Sequence, residues 1–178
     1  MRRTVAALFS ATLAVLPCGA LASTDGERQA GDVLATAMPL TTLGVELWRH
    51  EWTGAKQFAE SFVVTVAATE VLKRTTHVER PDGSNDESFP SGHAARAFSS
   101  ATYVHRRYGF QDAWPLYALA TYVGYTRVES NRHTWADVAG AAGIAALSSW
   151  WLVDPAAAPV QVAFGRRAVF VAWSIPLQ

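Results

Sequence analysis

Phe89-Pro90-Ser91-Gly92-His93, running on through Ala94 to Tyr108, reads as a loop that turns into a helix, and the rest of the chain is arranged around it. Pro90 stops any helix before it, Gly92 lets another group approach the backbone closely, and His93 opens an amphipathic run. The first N–H groups of a helix have no partner within it and lie at the positive end of the helix dipole. That setting suits a phosphate. Ser91 adds a hydroxyl at the same place and His93 a titratable ring. The plain alternative is a serine N-cap followed by an ordinary surface histidine.

Composition narrows the field. The chain has 178 residues, enough for one domain with a sizeable core, and half of them are hydrophobic. Fifteen basic residues balance fifteen acidic ones, so nothing points to a nucleic-acid partner. A mean hydropathy of +0.08 is too low for a chain made mostly of membrane spans, while leaving room for one or two.

The first 22 residues read as a secretory signal. Arg2 and Arg3 form its charged start, and Val5 to Leu16 form an apolar core short for a bilayer span. Pro17 breaks this core, and Ala20-Leu21-Ala22 is a cleavage site of small-residue type. An uncleaved anchor is the alternative. The one cysteine, Cys18, falls inside this segment, so a chain cleaved after Ala22 has no thiol chemistry at all. Loss of Arg2 and Arg3 leaves 13 of the 15 basic residues against 15 acidic ones, a mature charge of about −2. The expectation is an exported, periplasmic protein with a single domain over residues 23–178 and an optional membrane-surface contact.

Five helices are predicted. The first covers Gly31 to Leu47, interrupted or bent at Pro39. The second covers Ala55 to Lys73, where Phe58, Phe62, Val66 and Thr69 form one stripe. Glu60, Glu70 and Lys73 make it a better bundle helix than membrane span. Thr75 to Phe89 is turn-rich, and a loop this long between helices usually carries function. The third helix runs from Ser91 to Tyr108 and stops at Gly109, with His105-Arg106-Arg107 as cations suited to its negative end. Pro115 opens a fourth helix that continues to Arg127. The fifth runs from Thr134 to Trp151, where Ala139-Gly140-Ala141-Ala142-Gly143 permits close helix packing. Val160–Phe164 and Ala168–Trp173 then read as a short terminal β-hairpin. The seven tryptophans read as core and groove packing, in preference to an interfacial belt.

Three polar clusters fall at helix ends: Lys73 with Arg80-Pro81, Pro90-Ser91-Gly92-His93, and Arg127 with His133 and Asp137. Lys73, Arg80 and Arg127 supply three cations, and a guanidinium pairs with phosphate oxygens in a bidentate fork. His133 and Asp137 are four apart and share a helix face, where a carboxylate can hold an imidazole in one tautomer. Two such histidines suggest a nucleophile and an acid. His77 and Glu79 read as solvated loop residues, with substrate-rim contacts as the alternative; Asp82, Asp86 and Glu87 read as parts of a turn-rich loop in preference to a cation site; and Arg132 stays outside the core set.

Lys-x6-Arg-Pro, Pro-Ser-Gly-His and Arg-x5-His-x3-Asp, in this order, resemble the three signature motifs of the type 2 phosphatidic acid phosphatase (PAP2) superfamily, which includes class A acid phosphatases and vanadium haloperoxidases. The resemblance covers Lys73 to Asp137, about a third of the chain. It departs at one point, with Thr126 where a serine is usual. It implies an all-α bundle with the site at one end and hydrolysis of phosphate monoesters, lipid phosphates or isoprenoid pyrophosphates through a phosphohistidine. His133 would be the nucleophile, Asp137 its orienting partner and His93 the acid that protonates the leaving group. Lys73, Arg80, Ser91, Gly92 and Arg127 would hold the phosphoryl oxygens. No metal or other cofactor is implied, and vanadate would inhibit as a phosphate mimic. The rival functions are a vanadium-dependent haloperoxidase, whose chains are generally much longer, and a non-catalytic phosphate or lipid binder, which would need only the cations. The substrate would be a phosphorylated small molecule or lipid; the sequence names neither it nor an oligomeric state.

Overall fold

Alanine and serine build the central helix. This helix, α3 (Gly92–Tyr108), buries Ala94, Ala95, Ala97 and Ala101 together with Ser99, Ser100 and Thr102. Side chains this small let neighbours come close, and α3 packs against α1 (Thr24–Trp48), α2 (Trp52–Thr76), α4 (Phe110–Glu129) and α5 (Trp135–Leu152). The computed structural model describes residues 24–156 and the backbone of 160–164 and 169–173. The expected leader and Cys18 lie outside the described residues. The bundle is all-α, as the resemblance implies, followed by an antiparallel hairpin of β1 (Val160–Phe164) and β2 (Val169–Trp173) in which Val162 faces Val171.

Larger side chains fill the spaces between the alanine faces. Leu34 and Met38 of α1, Phe58 of α2, Phe98 and Tyr103 of α3, and Leu116 of α4 form one cluster, with the Phe58 and Tyr103 rings edge to face at 5.0 Å. Burying a side chain of this size is worth about 1.5–3 kcal/mol. Thr102 stitches α3 to α5 through Ser149 Oγ at 2.9 Å and the Ala145 carbonyl at 3.1 Å.

Several boundaries differ from the sequence expectation. α1 begins seven residues earlier, at Thr24, and continues through Pro39 without interruption. Leu34, Ala35 and Met38 are buried just before that proline and Thr42 just after it, so packing offsets the lost backbone bond. α4 begins at Phe110 rather than Pro115. Gly109, at φ +99°, takes a conformation that side chains resist and so reverses the chain in one residue. Phe110 then stacks near His105 and Tyr117, which anchors the extra turn.

The tryptophans also depart from expectation. Trp48, Trp52, Trp114, Trp135, Trp150 and Trp151 are all more than half exposed rather than packed inside. Among the described residues no helix is long and apolar enough to cross a membrane. The His105-Arg106-Arg107 run has specific partners beyond the helix dipole. His105 Nδ1 meets Tyr117 Oη, Arg106 lies over the Trp150 ring, and buried Arg107 pairs with Glu51 at 3.3 Å.

Candidate active site

The alternating direction of the helices brings the start of α1, the end of α2, the start of α3, the end of α4 and the α4–α5 turn to one end of the bundle. A cavity of about 440 Å³ opens there. Lys73, Arg80, Gly92, His93, Arg127 and His133 line it, so six of the eight expected site residues meet around one space. The other two, Ser91 and Asp137, lie behind this wall and are buried. Among the described residues, those that line the cavity are charged side chains, two imidazoles and one glycine.

Local chemistry places each group. Lys73 sits in the last turn of α2, and its Nζ donates to the Glu87 carbonyl at 3.0 Å. The loop that follows is tied down by its own turn residues. Ser84 N–H bonds to Asp82 Oδ1, Glu87 N–H to Asn85 Oδ1, and Arg80 N–H to the Asn85 carbonyl. His77, Glu79, Asp82, Asp86 and Glu87 are solvent-exposed, as expected, although Glu87 also reaches the cavity. Arg132 reaches it too and pairs with Asp82 at 3.3 Å.

Ser91 stands at the N-cap of α3, yet its hydroxyl makes no capping bond. Ser91 Oγ and Arg80 Nε are buried with no hydrogen-bond partner, a state proteins rarely leave unfilled and one an anion's oxygens would satisfy. At Gly92 the nearest neighbour to an added Cβ would be Lys73 Cε at 3.7 Å, an ordinary contact. The protein itself therefore does not demand glycine there. The bare face is turned to the cavity.

The histidine–aspartate pair corrects the sequence reading. His133 Nδ1 donates to the Ser88 carbonyl at 2.8 Å, whereas Asp137 Oδ2 is 3.7 Å away, beyond hydrogen-bond length. The carboxylate is already engaged: Oδ2 accepts from Thr134 N–H and from Ser88 Oγ, each at 2.7 Å. The first of these contacts is half of a capping box that starts α5. Asp137 thus orients the ring at one remove, by holding Ser88. His133 Nε2 is left without a hydrogen bond. Ser88, fully buried, holds His133 through its backbone carbonyl and Asp137 through its hydroxyl, and it lies outside the three motifs, so no local pattern in the sequence singles it out.

A second missed residue is Asp32 of α1. Its Oδ1 lies 2.7 Å from Arg127 Nη1 and 3.0 Å from His93 Nε2. Arg127 is 4% exposed and also donates to the Arg28 carbonyl at 2.7 Å. Helix α1 can come this close because residue 31 is glycine: a Cβ there would collide with Thr126 Oγ1 and crowd Arg127.

The site holds a surplus of positive charge, and its imidazoles show it. Burial pushes His133 down to about 4, and the neighbouring Lys73 and Arg80 push the same way. Burial and the cations Arg127 and Arg96 take His93 to about 4 as well, against the pull of Asp32. Lys73 is lowered by burial and by Arg80. Both rings are therefore neutral at neutral pH, which leaves His133 Nε2 with a free electron pair. An unfolded histidine titrates near 6.5, so the unfolded chain binds more protons between that pH and about 4. The stability this contributes is complete above pH 6.5 and is lost as pH falls through about 4. Melting temperature should fall over this window, and less steeply in a His93→Gln, His133→Gln double variant. Parallel curves for both proteins would refute this.

Comparison with known proteins adds the following. The PAP2 superfamily profile matches residues 54–156. A lipid A 1-phosphatase of Porphyromonas gingivalis is 38% identical over 81 residues, which is 42% of this chain and 18% of that protein. A lipid A 4'-phosphatase of Helicobacter pylori is 32% identical over 118 residues, 60% of this chain and 59% of that one. The chain spans less than two thirds of the length of either relative. The crystal structure of Aquifex aeolicus LpxE shares the fold at a TM-score of 0.51 and 22% identity, covering 66% of this chain and 82% of that one.

Proposed function

Because the chain belongs to the PAP2 superfamily, we propose that it is a metal-independent phosphatase that acts on lipid phosphates through a phosphohistidine. The observation that carries this reading is the free Nε2 of His133, held by the Ser88 carbonyl and facing a cavity ringed by Lys73, Arg80 and Arg127. Nε2 attacks phosphorus, the P–O bond to the leaving group breaks, and His93, protonated once the bound phosphoryl group offsets the surrounding cations, gives that oxygen a proton. Water then attacks the phosphohistidine, with His93 taking its proton. The three cations, Ser91 and the Gly92 N–H stabilise the charge on the phosphoryl oxygens throughout. They do the work a bound Mg²⁺ does in other phosphoryl-transfer sites, so no cofactor is required.

A lipid substrate is supported by the names of the two relatives, and the predominantly charged cavity wall suits a phosphorylated headgroup. Such a cavity receives a phosphorylated headgroup and leaves acyl chains outside. Trp135, exposed two residues from His133, suits contact with a lipid surface beside the mouth. Export is part of the same proposal: the secreted protein should begin at Ser23, and N-terminal sequencing that finds Met1 would contradict it.

The test is a panel of phosphorylated lipids, including lipid A, beside soluble monoesters, assayed with EDTA and with vanadate. Expected are turnover of the lipid phosphates, no loss in EDTA, and inhibition by vanadate. Activity that vanishes in EDTA and returns with Mg²⁺ would overturn the scheme.

A further inference from the structure

Asp32 is the acidic residue of the cavity that contacts both His93 and Arg127, and none of the three motifs accounts for it. It comes from α1, upstream of the residues matched by the family profile. A single oxygen, Oδ1, bridges Arg127 Nη1 at 2.7 Å and His93 Nε2 at 3.0 Å. Resting on the phosphatase reading above, we propose that Asp32 is the positioning residue of the general acid. It accepts the Nε2–H of His93, fixes the ring's tautomer, and leaves Nδ1 to carry the proton to the leaving oxygen.

The carboxylate is held firmly enough for this task. Its partner Arg127 is buried and anchored a second time by the Arg28 carbonyl, and the bare Gly31 backbone lies directly against Thr126 and Arg127. The charges facing His93 from the surrounding helices leave Asp32 a distinct part. Arg127 of α4, Arg96 of α3 and Lys73 of α2 all disfavour a proton on the ring, and Asp32 of α1 favours one. The other acids of the cavity, Glu70 and Glu87, act on Lys73. An acid must keep its proton until the leaving group departs, and beside so many cations an anion on the far side of the ring provides for that. The transfer balances with His93 entering it as the imidazolium: the negative charge of the bound phosphoryl group offsets the surrounding cations, and Nδ1 takes up a proton from water. The leaving oxygen then takes the electron pair of the broken P–O bond and the Nδ1 proton, and His93 becomes neutral with Nε2–H still on Asp32.

Asp32→Asn keeps an oxygen acceptor for Arg127 and removes the charge. In protein labelled with ¹⁵N-histidine at neutral pH and without substrate, His93 signals are identified by their loss in His93→Gln. The wild type should show the Nε2–H tautomer and Asp32→Asn a mixture. On an alkyl phosphate, Asp32→Asn should lose about 10-fold or more in kcat, within the ~10²–10⁴ that a general acid supplies. The alkaline limb of its pH profile should move to lower pH, and Asp32→Glu should recover part of both. Nitrophenyl phosphate should be hit much less. An Nδ1–H tautomer in the wild type, or equal losses on both substrates with an unmoved pH profile, would overturn the proposal. A wild type that hydrolyses no phosphate ester overturns the phosphatase reading instead, and the tautomer measurement still decides the pairing.

Discussion

His133→Ala should be inactive on every phosphate ester, while His93→Ala should be inactive only where the leaving group needs a proton. In the proposed scheme His133 Nε2 is the nucleophile, and removing it deletes the covalent route whatever the substrate. His93 acts later, on the departing oxygen. An alkoxide is a poor leaving group without a proton, so His93→Ala should lose about 10²–10⁴-fold on alkyl phosphates. Nitrophenolate is stable as an anion and scarcely needs the proton. There the variant should keep most of its phosphorylation rate and release nitrophenolate in a burst, after which hydrolysis of the phosphoenzyme, deprived of the His93 base, limits turnover. First-turnover rates of the two variants on an alkyl and a nitrophenyl phosphate separate the roles. Equal proportional losses on both substrates would refute the division of labour.

Arg127→Lys should lose about 10²–10³-fold in kcat/KM despite keeping the charge. The guanidinium holds Asp32 and the Arg28 carbonyl, both at 2.7 Å, and still lines the cavity. An ammonium group is a single point charge without the planar fork, and cannot make these bonds and clamp a phosphoryl group together. Because the loss concerns phosphoryl charge rather than the leaving oxygen, it should be similar on alkyl and nitrophenyl phosphates. That pattern sets it apart from Asp32→Asn and His93→Ala. An Arg127→Lys protein within a few-fold of wild type on both substrates would show that the fork is dispensable.

Local signals placed the motif residues well because each motif sits at a helix end that announces itself. Pro90-Ser91-Gly92 starts α3, Gly109 ends it, and Thr134 caps α5. Boundaries failed where packing outvoted a local breaker, at Pro39 and Pro115. The exposed tryptophans were misread for a related reason. Composition counts indoles without saying which helix faces the alanines have already filled.

The sequence by itself determined the bundle, the end of it that carries the chemistry, and the set of cations and imidazoles gathered there. These follow from helix-terminal residues and from spacing along single helices, which are local properties. Only the tertiary structure decided what holds the two histidines. Ser88 took the place expected for Asp137, because the capping of α5 and the Ser88 hydroxyl had already claimed that carboxylate. Asp32 reached His93 from a helix without a motif, because Gly31 lets α1 lie against α4. Partners of this kind are set by how closely two helix faces approach. That distance is fixed by packing between segments far apart in the chain, and no local pattern encodes it.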